Sequence, residues 1–509
     1  MDKALFLLYF IISTFLFSQI VLKDAYIYKD GRFEKLDILV KDGKILKVGK
    51  DLKGEKEEIL KDLFIYPGFV DCHLHVYGIG RELEEVNLKG VKSEEEIIER
   101  IKEKHPSLEK GKWVIGRGWD QNFFEDKKLP DSKLLSDVFK ENPVILYRID
   151  GHMLLANRKA LEVADQESFK DIEKGEADFE KGLFSDRAME IFSKAIPEPS
   201  LKEIEETLKK GLNHLKDLGF IAVGDAGIDS KILKAYLSLS RKGEIPIIVY
   251  GMLEAEDPDF EKIIKNGRVE KEYFKMNTVK VFMDGALGSW GAYLSVPYKD
   301  RPDRKGNLIT DFNELLRILT LCKRYDFKVA IHSIGDEATT IALNAIERAK
   351  MKKESVRLEH LQIVKPKDLK RMKKLGVVAS VQPYHFISDS KFLYERIDKN
   401  FPFLFYPWKS FLKENILLLF GSDAPVESPN FLEGFMASLS REGEAVSPEE
   451  AIKSYSYNNF VFFGEKDAGK IEKGWYANFT ILNKDITKEK EGIKVWASMV
   501  KGKWVLKKW

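Results

Sequence analysis

The stretch that decides the fold is Phe64-Ile65-Tyr66-Pro67-Gly68-Phe69-Val70-Asp71-Cys72-His73-Leu74-His75. An apolar run breaks at Pro67-Gly68, resumes, and ends in two histidines spaced i, i+2. Residues with this spacing lie on one face of a β-strand, so His73 and His75 can bind one divalent metal ion at a strand end. The chain has only 8 histidines, which makes a chance pairing here the weaker alternative.

Composition narrows the class of protein. The chain has 509 residues, of which 44% are hydrophobic, enough for one large domain with additions. Its formal net charge of +2 gives no sign of a nucleic-acid partner. Cys72 and Cys322 are its 2 cysteines, which excludes a disulfide framework, and we interpret both as free thiols.

The N-terminus carries a separate signal. Residues 4–22 contain no charged side chain and follow Met1-Asp2-Lys3, a pattern typical of a secretory signal peptide over residues 1–19. The stretch is also close to the ~20 residues that span a bilayer. The alternatives are a secreted or periplasmic protein, an outward-facing membrane-anchored protein and, third, a cytoplasmic protein with a buried first strand.

The body of the chain alternates strand and helix patterns, which favours parallel βα units. The gap before the second strand is too long for one helix and a loop, and predicts an insertion over residues 82–200. Strand-rich segments at both ends, residues 20–62 and 466–509, are expected to pair into one small β-domain around a barrel of residues 63–465. The eight strand candidates are residues 69–75, 220–227, 245–253, 278–284, 328–333, 356–362, 377–383 and 416–422.

Further metal-ligating residues follow later strands. His332 and His360 end the fifth and sixth candidates, and Asp423 follows the eighth. Imidazole and carboxylate suit zinc and related ions. Lys280 lies among apolar residues of the fourth strand, where burial favours a neutral amine that can react with CO2 to form a carbamate. The alternatives for Lys280 are a strand lysine that snorkels or pairs with an acid and an ammonium that contacts substrate.

The remaining candidates are substrate contacts. His385 follows the end of the seventh strand and should face the pocket, whereas His152 lies in the insertion; His105 and His214 are interpreted as structural. The expected substrate-binding residues are His152, Asp120, Gln382, His385 and Asp284.

Several motifs together resemble amidohydrolase family 3 of the amidohydrolase superfamily, a branch that includes N-substituted formamide deformylase. They are PGFVDCHLH at 67–75, GWDQ at 118–121, DGH at 150–152 with Asn157, KVFMDGALGS at 280–289, IHSIGDEA at 331–338, RLEHLQ at 357–362 and GSDAPVES at 421–428.

The resemblance implies an α/β fold, a (β/α)8 TIM-type barrel with a small split β-sandwich domain. It also implies one or two divalent metal ions, with zinc expected, held by His73, His75, His332, His360 and Asp423, and a carbamylated Lys280 between two metals. GWYANF at 474–479 departs from the usual Gly-x-x-Ala-Asp-Phe of the family.

These observations predict a metal-dependent hydrolase of small molecules that cleaves amides, formamides or cyclic amides, with Asp423 as general base and acid. His332 and His360 ligate the metal, or one of them stabilises the oxyanion. The alternatives are an ester or lactone hydrolase, a deaminase, and a non-catalytic scaffold on the same frame. The sequence leaves open whether the chain attaches to a membrane through residues 4–22 and whether it forms a homo-oligomer.

Overall fold

The computed structural model describes residues 19–149, 153–164 and 177–509. The predicted leader up to residue 18 and the segment Asp150-Gly151-His152 lie outside the described residues. Within the described ranges, every helix is too short or too polar to cross a membrane. The chain divides into two compact units, one of residues up to Val76 together with Leu212–Trp509, the other of Tyr77–Gly211.

One sheet of the larger unit contains strands from both ends of the chain. Phe64–Pro67 joins the two ends, since it pairs with Ile20–Lys29 and with Phe479–Leu482. This strand extends the sheet beyond the predicted boundary at residue 62. The strands are Ile20–Lys29, Arg32–Lys41, Lys44–Gly49, Lys56–Ile59, Phe64–Pro67, Phe479–Leu482, Val495–Val500 and Lys503–Lys507.

Eight parallel strands of the same unit lie side by side in chain order and form a nearly closed barrel. This confirms the predicted barrel, with a strand at each of the eight expected places. The strands are Phe69–Leu74, Phe220–Ile228, Ile248–Glu254, Phe274–Phe282, Lys328–Ser333, Val356–His360, Val378–Val381 and Leu418–Phe420. Val269–Glu270 pairs antiparallel with the fourth strand, and Ile363–Val364 pairs with Leu404–Phe405.

Backbone contacts connect the first and eighth barrel strands just beyond their hydrogen-bonded part. The Asp423 amide donates to the His73 carbonyl at 2.7 Å, and the His75 amide donates to the Ala424 carbonyl at 2.8 Å. A Cβ at Gly421 would lie 2.7 Å from the His73 amide nitrogen, so this close approach requires glycine. The connection brings Asp423 against the histidine pair of the first strand.

Helices follow the barrel strands because their apolar residues recur at helical spacing. In Phe312–Arg324, for example, Asp311 caps the N-terminus by accepting from the Asn313 and Glu314 amides, and the buried face includes Leu315 and Leu319. The helices of this part are Ser230–Lys242, Phe260–Lys265, Phe312–Arg324, Asp336–Ala349, Pro366–Leu375, Pro383–Asp389, Leu393–Arg396, Trp408–Lys413, Phe431–Ser440, Pro448–Ser454 and Tyr457–Phe463.

The inner face of the barrel can be assigned from packing. Ala226, Met252 and Ala330, from the second, third and fifth strands, form one buried cluster. Arg357 of the sixth strand reaches the Met252 sulfur at 3.2 Å. Because side chains alternate along a strand, residues two positions beyond these also face inward, at the C-terminal ends where sites of such barrels lie.

The smaller unit has its own six-stranded sheet and two buried apolar clusters. Its strands are Val86–Asn87, Val114–Trp119, Val144–Arg148, Met153–Ala156, Ala177–Asp178 and Leu183–Ser185. Its helices are Val76–Glu84, Glu94–Lys104, Lys133–Val138, Arg158–Val163, Glu190–Ala195 and the start of Leu201–Asp217, with 3-10 turns at Gln121–Phe123 and Asp186–Met189.

Candidate functional site

Asp423 lies at the centre of a group of imidazoles at the C-terminal ends of the barrel strands. Its Oδ1 is 3.0 Å from His75 Nε2 and 3.4 Å from His73 Nε2, and its Oδ2 is 3.6 Å from His385 Nε2 and 4.0 Å from His360 Nδ1. Ligand atoms of His73, His360 and Asp423 all lie within 4.8 Å of one another. Three of the predicted metal ligands therefore meet at one centre, and His75 contacts the same carboxylate.

In three of these histidines Nδ1 faces an acceptor oxygen, which places the ring hydrogen on Nδ1. In His73 and His75 this leaves Nε2 facing Asp423, whereas the His360 nitrogen that lies 4.0 Å from Asp423 Oδ2 is Nδ1 itself. The acceptors are Glu359 for His73 at 2.7 Å, the Ala226 carbonyl for His75 at 2.7 Å and Gln382 Oε1 for His360 at 2.8 Å. Such outer hydrogen bonds are typical of histidines that bind metals.

His332, the fourth predicted histidine ligand, lies beside His360, with 4.4 Å between the ring centroids. Its buried Nε2 has no hydrogen-bond partner among the described residues, and the nearest carboxylate oxygen, Oδ1 of Asp284, is 3.7 Å away. Burial, assisted by the charge of Lys280, lowers the pKa of His332 to about 3. His332 is therefore a neutral imidazole at physiological pH.

The charges at the centre fit a cation. Burial alone would raise the pKa of Asp423, but the neighbouring His73 and His75 imidazoles hold it well below its usual range. Because His75 donates through Nδ1, its Nε2 either carries a second proton or shares a cation with Asp423 Oδ1. An anionic carboxylate, converging imidazole nitrogens and the unpartnered Nε2 of His332 together fit a divalent metal ion.

Lys280 faces the same centre from the fourth strand. It is 1% exposed, and its Nζ is 3.4 Å from His73 Nε2. Burial lowers the pKa of Lys280 to about 8, although Glu359 and Asp423 oppose this shift. A substantial fraction of Lys280 is therefore a neutral amine in mildly alkaline solution.

Two buried charges beneath the site were not predicted. Glu359, which accepts from His73, also forms an ion pair with Arg357, and both side chains are 0% exposed. The Arg357 Nη2 donates to the Cys72 carbonyl at 2.9 Å. Burial would raise the pKa of Glu359, but Arg357 and His73 hold it far below its usual range. Arg357 and Glu359 thus link the sixth strand to the first metal-ligand candidate.

Hydrogen bonds from backbone amides and two unusual backbone conformations also fix the geometry of the site. Asp71 accepts the amides of His73 and Ser422, each at 3.1 Å, and burial raises its pKa to about 6. His360 and Asp423 both have positive φ, 73° and 63°. Non-glycine residues with such backbone angles cluster at functional sites, where the surrounding structure stabilises the strained conformation.

Asp284, predicted to contact substrate, has a different place. It is fully buried, and its carboxylate accepts the amides of Ile334 at 3.0 Å, Gly335 at 2.8 Å and Tyr293 at 2.9 Å. Burial raises the pKa of Asp284 to about 7 despite these three hydrogen bonds. These bonds satisfy the carboxylate, so Asp284 anchors the loops after the fourth and fifth strands, and its contact with substrate stays a prediction.

We expect Asp284→Asn to lower the free energy of unfolding by about 1–3 kcal/mol, because one amide nitrogen would replace an acceptor of buried N–H groups. Urea unfolding followed by circular dichroism measures this change. Asp303→Asn is the matched control, since Asp303 has a 70% exposed side chain. Equal stability of the two variants would contradict the anchoring role.

The other four residues that were predicted to contact substrate have different surroundings. His385 lies at the centre, and its Nε2 has no hydrogen-bond partner in the described part of the chain. Gln382 is 2% exposed and supports His360. Asp120 belongs to the smaller unit, where its carboxylate accepts the Asn122 amide and pairs with Arg148 at 3.2 Å. His152 lies outside the described residues.

Comparison with known proteins decides the family. The profile of the amidohydrolase family matches residues 60–506. The chain belongs to the amidohydrolase family. The putative amidohydrolase YtcJ of Bacillus subtilis is 32% identical over 463 residues, which cover 85% of this chain and 86% of that relative. Protein LONG AFTER FAR-RED 3 of Arabidopsis thaliana is 28% identical over 489 residues, 87% and 83% of the two chains.

A solved structure agrees with this assignment. An uncharacterized metal-dependent hydrolase from Pyrococcus furiosus superposes with a TM-score of 0.81 at 30% identity, covering 92% of this amidohydrolase and all of that chain. The predicted resemblance is confirmed. The protein is a metal-dependent hydrolase of the amidohydrolase superfamily.

Proposed function

We propose that this amidohydrolase cleaves C–N bonds other than peptide bonds in small amides, formamides or cyclic amides. The metal would be held by His73, His75, His332, His360 and Asp423, with zinc as the expected ion. The convergence of oriented imidazole nitrogens on the Asp423 carboxylate is the observation that supports this proposal.

A bound divalent ion would lower the pKa of a water molecule and polarise the substrate carbonyl. Asp423 is ionised at neutral pH because its pKa is held low, so its carboxylate can accept the proton that the attacking water loses. As the C–N bond breaks, the same proton can move from Asp423 to the leaving nitrogen. We propose that His385 contacts substrate, which is supported by its Nε2 lying 3.6 Å from Asp423 Oδ2 without a partner among the described residues.

Metal removal should abolish activity, and zinc or manganese should restore it. We expect His73→Ala and His75→Ala to weaken metal binding and lower kcat/KM by more than about 100-fold, because losing even an outer-shell partner costs about 10–100-fold. Metal content after dialysis, by mass spectrometry, and steady-state kinetics measure the two effects. His105→Ala is the control, since His105 ends the helix Glu94–Lys104 in the smaller unit. Full activity of either strand variant would contradict the proposed ligands.

A panel of substrates tests which type of bond the enzyme cleaves. Formamides, N-acyl amino acids, hydantoins and lactones can be assayed with the zinc and manganese forms of the full chain. Turnover of a C–N substrate, lost in the His73→Ala variant, would support the proposal. Turnover of lactones alone would favour an ester-type hydrolase on the same site.

A further inference from the structure

Two inward-facing barrel residues outside the candidate metal site are partly exposed. Glu254 ends the third strand and Phe282 ends the fourth, and both are half-buried. Their inward direction follows from register and alternation. Met252, two residues before Glu254, belongs to the inner cluster, and Glu254 is in register with the inward-facing Lys280.

The inward direction of Phe282 follows from its neighbours in the same way. It lies two residues beyond Lys280, whose Nζ is 4.7 Å from the centre of its ring. It is in register with His332, and the two ring centroids are 5.6 Å apart. Solvent reaches an inward side chain at a strand end through the mouth of the barrel, so the exposed parts of Phe282 and Glu254 border the space that a substrate would fill.

Within the described ranges, no hydrogen bond or ion pair engages the Glu254 carboxylate. Burial, followed by the charges of Glu256, Asp229 and Asp257, raises the pKa of Glu254, whereas His75 of the metal site opposes this shift. Asp229 and Asp257 are committed elsewhere, since each accepts backbone amides around the start of the helix Ser230–Lys242. Among the described residues Glu254 is therefore a half-buried acid without a counter-charge, in register with Lys280 of the candidate site.

A carboxylate without a partner among the described residues and an aromatic ring near it on the neighbouring strand match one chemistry of ligand. A carboxylate binds an ammonium or guanidinium group through charge-assisted hydrogen bonds, and an exposed aromatic ring packs against apolar or aromatic groups. We propose that Glu254 and Phe282 determine substrate specificity, and that they select C–N substrates in which an apolar or aromatic frame carries a cationic group. This inference rests on the proposed function and adds the substrate class.

The test compares two formamides of nearly equal shape on the metal-loaded full chain. One is the monoformamide of 1,4-bis(aminomethyl)benzene, which carries an ammonium group; the other, N-(4-hydroxymethylbenzyl)formamide, is neutral. We expect kcat/KM to favour the cationic substrate by about tenfold or more, the scale of one charge-assisted hydrogen bond. Equal rates, or a preference for the neutral substrate, would overturn the inference without any variant.

Variants separate the roles of Glu254 and Phe282. Glu254→Gln should raise KM for the cationic substrate about tenfold while kcat/KM for the neutral substrate changes by less than about twofold, because only the charge is removed. Phe282→Leu should lower kcat/KM for both substrates and preserve their ratio. Glu261→Gln, which removes an exposed acid that pairs with Lys265, is the control and should preserve both values. An equal effect of Glu254→Gln on the two substrates would overturn the specificity role.

A binding measurement keeps the inference separate from the proposed reaction. Benzylguanidinium is a cation that keeps its N–H donors, stays protonated and offers no free nitrogen lone pair to a metal, and benzyl alcohol is a neutral probe. Calorimetry should show at least about tenfold tighter binding of the cation to the wild-type protein, lost in Glu254→Gln. If neither formamide is hydrolysed, the proposed reaction fails for formamides while this difference still decides the inference. Absence of the difference overturns it.

Discussion

Replacing Lys280 with Ala should lower kcat/KM by at least about 100-fold, more than the usual loss of an outer-shell partner of a metal, and added acetate with metal should restore part of the activity. The expected cause is loss of a carbamate. Lys280 is buried 3.4 Å from His73 Nε2, and burial lowers its pKa to about 8. An ammonium there would repel a metal ion, whereas a carboxylate would bind it.

Carbamate formation needs the neutral amine. The Nζ lone pair of Lys280 forms a bond to the carbon of CO2, one proton leaves the nitrogen, and the product is an anion. Mass spectrometry of the metal-loaded protein should therefore find one added CO2 on Lys280. Acetate supplies a carboxylate to the space left by the Ala variant, which is why partial rescue is expected.

Lys328 provides the matched control. Burial also lowers the pKa of Lys328 to about 8, but this residue begins the fifth strand, at the end of the barrel away from the site. Lys328→Ala should not respond to acetate. An unmodified Lys280 together with full activity of Lys280→Ala would make Lys280 a structural or substrate-contacting residue and the metal site mononuclear.

The barrel and the convergence of its ligand candidates were predictable because they depend on local sequence. Each of His73, His332, His360 and Asp423 lies at the end of an apolar run, and parallel strands of a barrel place such ends on one face. Strand alternation likewise predicted the inward direction of Lys280. The order of the strands, together with the resemblance to amidohydrolase family 3 that implied the ligand set, was enough for these inferences, and no long-range contact had to be known.

The anchors of the site depend on contacts between distant segments, and the sequence does not reveal them. Glu359 and Arg357 are visible as two charges in an apolar strand, a signal for a buried ion pair, but their link to His73 spans 286 residues. Asp284 follows a strand just as Asp423 does. Only the fold shows that backbone amides of two loops satisfy the Asp284 carboxylate, whereas imidazoles surround Asp423.

Replacing Glu359 with Gln should weaken metal binding by about 10–100-fold, the usual effect of removing an outer-shell partner. Glu359 accepts from Arg357 with one oxygen and from His73 Nδ1 with the other. Gln has a single acceptor. If its oxygen stays with Arg357, its NH2 group faces His73 Nδ1 and favours the tautomer with hydrogen on Nε2, which removes the nitrogen lone pair from the centre of the site.

Two measurements report this tautomer. One is metal affinity, by competition with a chelator, and the other is the nitrogen-15 shifts of the His73 ring in the metal-free protein. Glu347→Gln is the control, because Glu347 is a partly exposed acid that pairs with Arg371 and Lys374. Unchanged affinity and an unchanged His73 tautomer in Glu359→Gln would contradict the positioning role.

A double variant separates the positioning role of Glu359 from its structural role. Glu359→Gln leaves the buried Arg357 charge uncompensated and should cost about 3–5 kcal/mol of unfolding free energy, the usual result of breaking a buried ion pair. Adding Arg357→Met removes that charge, so stability should largely recover. Arg357→Met also frees the amide oxygen of the Gln side chain for His73 Nδ1. Metal affinity is therefore measured on Arg357→Met combined with Glu359→Leu, whose apolar side chain supplies no acceptor, and it should stay low. Recovery of stability and affinity together would show that Glu359 acts on the metal site only through the stability of the barrel.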